Sequence, residues 1–415
     1  MTLGSRSLDA ESHLGSELTH SGPEALPGPS VTARKPKVLL LLHDLSRTGA
    51  PRSGLAKFDA MRAEFDVRVI APVGGPLEED CRALWPLDIL SEIMMQHGRI
   101  WQRAYGRLRW RRWLGEFHRW APDLIYMNSV VALPIARMVP LPDVPVLLQV
   151  RELHGYLLPI LRDYPDLLVG MPTRYLAVSD AVRRALVSDC GIDQDRIGVI
   201  HEFIPERRLD EVNISQARRR DDDALVIGGA GAVAWYKGTT LWLQTAAEVR
   251  RLVGPTARFV WVGAPEGDDG IKLRREVHLL GLDDAMELIP STPRPLEHFA
   301  RFDIFAMTSW EDPCPLVVLE NMGLGKPVVC FAGGGGAPEE VGDTGVIVPE
   351  FDPRAMARAI ADLAADPRER ARLGGLARQR MRANFTDRVQ VPKIRREVRL
   401  LASGKSTAQA QGPLD

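Results

Sequence analysis

Short, wholly apolar runs alternate along this chain with longer stretches whose apolar residues recur at helical spacing. Residues 38–42 are one such run, long enough for a buried parallel strand and too short for anything else regular. The polar loop 43–52, HDLSRTGAPR, follows; then come a helix ending near residue 64 and a strand over 66–71. Further strands are predicted at 123–128, 144–150, 175–179 and 197–200. After a polar interval the rhythm restarts, with strands at 225–228, 259–263, 286–289, 303–307 and 328–331. A helix is predicted at 239–252 and a short one at 296–301. Asp352-Pro353 and Asp366-Pro367 are cap-plus-proline starts for two Ala/Arg helices that run to about residue 384. A last amphipathic piece spans 389–401. Strands alternating with helices in two blocks predict two Rossmann-like α/β domains with a central cleft.

The boundaries read as a disordered leader at 1–34, an N-terminal domain at 35–205 and a linker at 206–223. A C-terminal domain follows at 224–385, then a terminal helix at 386–401 and a disordered tail at 402–415. The leader is rich in Ser, Gly, Pro and Glu without periodicity, and the linker is dense in Arg and Asp. With 53 basic and 54 acidic residues, the net charge of −1 gives no reason to expect nucleic acid as a partner. The nine histidines show no metal-ligand spacing, and the four cysteines form no CxxC, so no metal site is predicted. Cys81, Cys190, Cys314 and Cys330 suit a reducing cytoplasm. No apolar run is long enough to span a bilayer, and no signal peptide is evident.

Residues 99–120, RIWQRAYGRLRWRRWLGEFHRW, hold seven arginines, four tryptophans and one acid. Trp110, Trp113, Leu114, Phe117 and Trp120 follow helical spacing, while Trp101, Tyr105 and Leu108 fall on another face, with Gly106 as a break point. Two readings stand side by side. Either the tryptophans pack into a core with the arginines solvated, or the helix rests on an anionic membrane surface.

The chemistry concentrates in 309–341, where two strand ends, a helix start and a glycine turn fall close together, as at ligand sites of open α/β sheets. Lys237 follows the Gly228–Gly231 turn and precedes a helix, so it and nearby loop amides could hold a diphosphate; a solvated lysine is the plainer alternative. Asp312 and Glu320 are candidate acids eight steps apart, but Pro313 and Pro315 put Asp312 ahead of the helix that carries Glu320. A carboxylate there could accept two ribose hydroxyls. Paired acids also fit glycoside hydrolysis, which needs one on each side of the scissile bond. Thr48-Gly49 lies in a βα turn at the sheet's carboxyl edge, a turn that needs no ligand to explain it.

Together these residues resemble the signature of retaining GT-B glycosyltransferases of family 4 (glycosyl transferases group 1): an acid, seven residues, a Glu, a Gly-Lys-Pro-Val run, two glycines and a Glu. Thr48-Gly-Ala-Pro51, Ser179-Asp-Ala-Val182, Trp235-Tyr-Lys-Gly238 and Gly345-Val-Ile-Val-Pro349 match in the same order. The resemblance implies metal-independent, anomer-retaining transfer of a sugar from a nucleoside diphosphate sugar, with no other cofactor. It also implies a glycan or lipid-linked acceptor in cell-surface polysaccharide synthesis, at the cytoplasmic face. Carried over residue by residue, Lys237 binds the diphosphate, Glu320 the ribose, and Asp312 the donor sugar. Gly49 packs near the distal phosphate, and Gly334, Gly335 and Glu339 line the same pocket.

This chain departs from the pattern at several positions. Ala232 stands where the family often has Arg. Pro315 replaces a glycine and offers no N–H, leaving the amides of Leu316 and Val317. Arg151, with His154 three residues on, stands where the family has His after the fifth strand, and either could face the donor sugar. Glu311 competes with Asp312 as the first acid. A nucleotide-sugar epimerase of the same architecture and a non-catalytic nucleotide-sugar-binding subunit remain the alternatives.

Overall fold

A strand that is apolar on both faces needs cover on both, and this chain provides it with helices between parallel strands. The computed structural model describes residues 34–94, 100–211 and 224–404. The first sheet holds β1 (Lys37–Leu41), β2 (Asp66–Ala71), β3 (Leu87–Ile89), β4 (Leu124–Met127), β5 (Val146–Val150), β6 (Arg174–Ala177) and β7 (Ile197–Val199), in the order β3-β2-β1-β4-β5-β6-β7. The second holds β8 (Leu225–Ala230), β9 (Ala257–Ala264), β10 (Met286–Pro290), β11 (Ile304–Met307), β12 (Val328–Phe331) and β13 (Val346–Val348), in the order β10-β9-β8-β11-β12-β13. Neighbouring strands run parallel in both. Each sheet is thus the expected Rossmann-like domain. Strand order reverses between β1 and β4, and again between β8 and β11. Loops leaving the carboxyl ends there open into a crevice.

The chain crosses between domains twice, and the two crossings lie together. Ile204 N donates to Phe385 O at 3.0 Å, and Ile204 pairs with Thr386 in an isolated bridge. The terminal helix Asp387–Ala402 then returns to the first domain. It buries Val391, Ile394, Val398 and Leu401 among core residues that include Val38, Leu40 and Tyr126. Its Arg395 holds Glu64 at 2.8 Å, and Arg399 pairs with the same carboxylate.

The segment read as a linker from residue 206 begins with a helix, Glu206–Asp210, whose Leu209 is buried in the second domain's core. The remainder of that reading, 212–223, lies outside the described residues, as do 1–33 of the leader and 405–415 of the tail. Pattern reading passed over β3, β13 and the helix Gly267–Leu279. β3 and β13 are only three residues long, with a polar Asp88 in β3 and an exposed Ile347 in β13, and that helix opens on Gly-Asp-Asp-Gly and buries only Gly270, Leu273 and Val277.

Residues Ile100–Trp120 form one helix that runs through Gly106 without a break. Trp113 and Phe117 are buried, and Trp110 stacks on Trp113, which stacks on Phe117, with centroids 5.0 and 5.2 Å apart. The core reading therefore describes this tryptophan face. The opposite face leaves Tyr105, Leu108, Arg107, Arg111, Arg112 and Arg119 exposed. Among the described residues no helix is long and apolar enough to cross a membrane.

Candidate functional site

The acid loop between β11 and the helix Leu316–Gly323 is shaped by glycine. Asp312 N donates to Gly334 O at 3.2 Å, and Gly336 N donates to Asp312 O at 2.8 Å. At Gly335, with φ +91°, a Cβ would come within 2.3 Å of the Asp312 carbonyl oxygen. Only glycine lets the β12 loop lie this close to the acid. Gly334 and Gly335, expected to line the donor pocket, serve here to fix the backbone of Asp312.

Asp312 so held points at Lys237, whose Nζ lies 2.6 Å from Oδ2. Lys237 ends the turn after β8 and is followed by Gly238 at φ +61°, where a Cβ would collide with the Thr308 carbonyl. Burial lowers the lysine's pKa, but the Asp312 carboxylate more than offsets this, so the ammonium stays charged. The pair sits on the wall of a cavity of about 740 Å³ between the domains. Gly49, Arg151, Leu316, Val317 and Glu320 line it too. Leu316 and Val317 open their helix, where first-turn amides have no intrahelical acceptor.

Glu320 is buried within that helix, and its pKa is pushed up to about 7 by burial, with Arg208 and Arg52 pulling the other way. Arg208 Nη2 stands 3.5 Å from Glu320 Oε1. Arg52, Arg207 and Arg208 all line the cavity, so cations are present there although Ala232 is not one. Sequence reading missed all three. The Glu206-Arg-Arg-Leu209 run after Pro205 was the available signal, with a buried leucine that a linker would not need.

A buried polar network backs the opposite wall. Glu202, just after β7, accepts from Lys57 Nζ at 2.7 Å and Ser53 Oγ at 2.5 Å, and it pairs with Arg151. Burial raises its pKa, but Arg151 and Lys57 outweigh this and hold the carboxyl down at about 2. Burial lowers Lys57 to about 8 despite Glu202. This network gives Arg151 a fixed place at the cavity wall.

The competing positions separate. Arg151 lines the cavity, whereas His154 is half exposed and pairs with Asp189 at 2.5 Å. Asp312 faces Lys237, whereas Glu311 reaches across the cleft to accept from Gly155 N at 3.0 Å. Glu339, expected in the donor pocket, instead bridges the domains: Oε2 accepts from Asp180 N at 2.7 Å and Oε1 lies 2.5 Å from His201 Nε2. Its neighbour Glu340 is fully buried against Cys314 Sγ at 3.0 Å, and burial raises its pKa well above the usual carboxylate range. Among the described residues no group of three or more His, Cys, Asp or Glu could hold a metal ion.

Comparisons with known proteins agree with this fold. Residues 58–208 match the family model Glycosyltransferase Family 4, and residues 224–366 match Glycosyl transferases group 1. The chain is 30% identical over 219 residues to a D-inositol 3-phosphate glycosyltransferase of Thermomonospora curvata, covering 48% of this chain and 51% of that one. It is 32% identical over 191 residues to a GDP-mannose-dependent alpha-(1-6)-phosphatidylinositol monomannoside mannosyltransferase of Mycolicibacterium smegmatis, covering 42% and 47%. The chain thus spans about half the length of the curated relatives it matches. In fold it resembles Anabaena Alr3699/HepE, solved with UDP and glucose, at a TM-score of 0.72 and 20% identity over 89% of this chain and 99% of that one.

Proposed function

We propose that this chain, which belongs to the family 4 glycosyltransferases and has their GT-B fold, transfers a sugar from a nucleoside diphosphate sugar to a glycan or lipid-linked acceptor. The observation that carries this reading is the cavity where both domains' strand ends meet. There Lys237, the helix-opening Leu316 and Val317, and the buried Glu320 line the same space. A cation and a helix start suit a diphosphate, and an acceptor-only carboxylate suits a ribose diol. The UDP and glucose held by a structural neighbour support the same ligand class.

In this reading the bond between the anomeric carbon and the diphosphate breaks, and negative charge grows on the leaving oxygen. Lys237 and the helix-start amides stabilise that charge, and no metal or organic cofactor is required. Asp312 releases Lys237 to the diphosphate and takes the donor sugar's hydroxyls. Of the other nearby carboxylates, Glu152 is tied to Ser129 Oγ at 2.5 Å and Glu202 to Lys57 and Arg151. In this reading the acceptor proton goes to the departing diphosphate, and the new bond forms on the face the diphosphate leaves, with retained configuration.

The work of such an enzyme lies at the cytoplasmic face, in cell-surface polysaccharide synthesis. The arginines exposed on the helix Ile100–Trp120 are its contact with anionic lipid. A panel of UDP-, GDP-, ADP- and TDP-sugars in a thermal-shift assay tests the donor reading. One donor should raise the melting temperature with or without EDTA, and stabilisation by none would sink the reading.

A further inference from the structure

A second cavity, of about 290 Å³, adjoins the first and shares Arg151, Tyr236, Lys237 and Asp312 with it. Its volume is roughly ten water molecules at ~30 Å³ each, the scale of one monosaccharide ring. Three aromatic rings stand around it. Tyr156 comes from the first domain, and Trp235 and Tyr236 from the turn after β8. Tyr156 and Tyr236 meet edge to face with centroids 6.1 Å apart, as do Trp235 and Tyr236 at 5.9 Å. Trp235 is 64% exposed and Tyr156 52%, so much of both rings is left uncovered at the cavity. The rim is therefore apolar and wide open.

The cavity's charges exclude one class of occupant. Arg151 is paired with Glu202, and Lys237 with Asp312 at 2.6 Å. His43 lies 3.7 Å from the Asp44 carboxylate. Glu152 and Glu311 add two carboxylates to the lining. Each cation among the described lining residues already faces an acid, so an incoming phosphate would meet the carboxylates of Glu152 and Glu311 and no spare positive charge. A neutral ring meets neither problem. Its C–H face can lie on the electron-rich face of an aromatic, and its hydroxyls can reach Glu311.

We propose that this smaller cavity is the acceptor subsite, that Trp235 and Tyr156 form its ring-binding platform, and that it selects an uncharged sugar or polyol over a phosphorylated one. The proposal rests on the donor reading above and narrows it. It also sets this chain apart from the relative named for inositol 3-phosphate.

The test uses the full chain and the nucleoside diphosphate sugar that stabilises it. Transfer is measured to methyl α-pyranosides and myo-inositol in one arm, and to mannose 6-phosphate and inositol 1-phosphate in the other. Neutral rings should be used with kcat/KM at least tenfold above their phosphorylated counterparts. Trp235→Ala should raise the acceptor KM about tenfold with kcat within twofold, and Trp235→Phe should recover most of the loss. Trp235 is exposed, so a melting curve matching the native one shows that the variant folds. Equal or better use of the phosphorylated acceptors, an unchanged KM in Trp235→Ala, or no use of any neutral ring overturns the proposal. If no nucleoside diphosphate sugar binds at all, the donor reading fails first and this one with it. Donor binding combined with phosphate preference overturns this proposal alone.

Discussion

Replacing Glu320 with glutamine separates what this residue costs the fold from what it gives the ligand. Its carboxyl is buried in the helix Leu316–Gly323, and burial raises its pKa from 4.5 to about 7, partly offset by Arg208 and Arg52. The folded chain therefore keeps this proton up to about pH 7, while the unfolded chain releases it near 4.5. Between those values the folded state binds more protons, so stability falls as pH rises; the cost is absent below the window and complete above it. At ~1.4 kcal/mol per pH unit, the full cost is about 3 kcal/mol. Glutamine carries no such charge. Melting curves of Glu320→Gln and the native chain should nearly coincide at about pH 4, and by pH 8 the variant should melt on the order of 3–4 °C higher. The same substitution should weaken donor binding about tenfold, because an amide offers one acceptor oxygen where the carboxylate offers two. A stability gap that does not change with pH, or a variant less stable at pH 8, would refute the assignment of Glu320 as a desolvated acid awaiting a ligand.

Four further outcomes follow from contacts elsewhere in the chain. Gly335→Ala places a Cβ within 2.3 Å of the Asp312 carbonyl at a φ of +91°, so it should lower the melting temperature and cut turnover at least tenfold; a fully active variant would show that the acid loop is not held this way. Arg151→Ala leaves Glu202 short of one cation in a buried network and should cost roughly 3–5 kcal/mol by chemical denaturation, whereas His154→Ala should stay within twofold of native activity. Substituting Arg107, Arg111 and Arg112 together should abolish flotation with anionic liposomes but leave donor binding intact. Flotation equal to the native chain would remove that helix face as the contact.

The fold was legible because strands such as β11 and β12 are apolar throughout, and the strands are separated by helix-spaced segments. The site was legible only in part. Lys237, Asp312 and Glu320 lie on one domain beside strand ends, and the local pattern around them is specific. Arg52, Glu202 and Arg208 come from other segments and meet at the cleft only after the chain has crossed between domains. No spacing in sequence announces such a meeting. Glu339 and the glycines before it show the opposite case. They match a known pattern, yet the structure uses Glu339 to tie the domains together through Asp180 and His201. A motif shows that a position matters, and the contacts show for what. Arg208 adds a third case: its run of charges read as a linker because charge is visible in sequence, while the buried Leu209 that anchors the helix is only one residue among many.

Sugar transfer from a nucleoside diphosphate sugar is proposed at the cavity shared by Lys237, Asp312 and Glu320. Its most direct test is release of nucleoside diphosphate from the donor panel in the presence of a neutral acceptor, with the native chain and Lys237→Ala side by side. One donor should be turned over by the native chain and its turnover abolished in the variant. Release at the native rate from Lys237→Ala, or none from any donor with the native chain, would contradict the account.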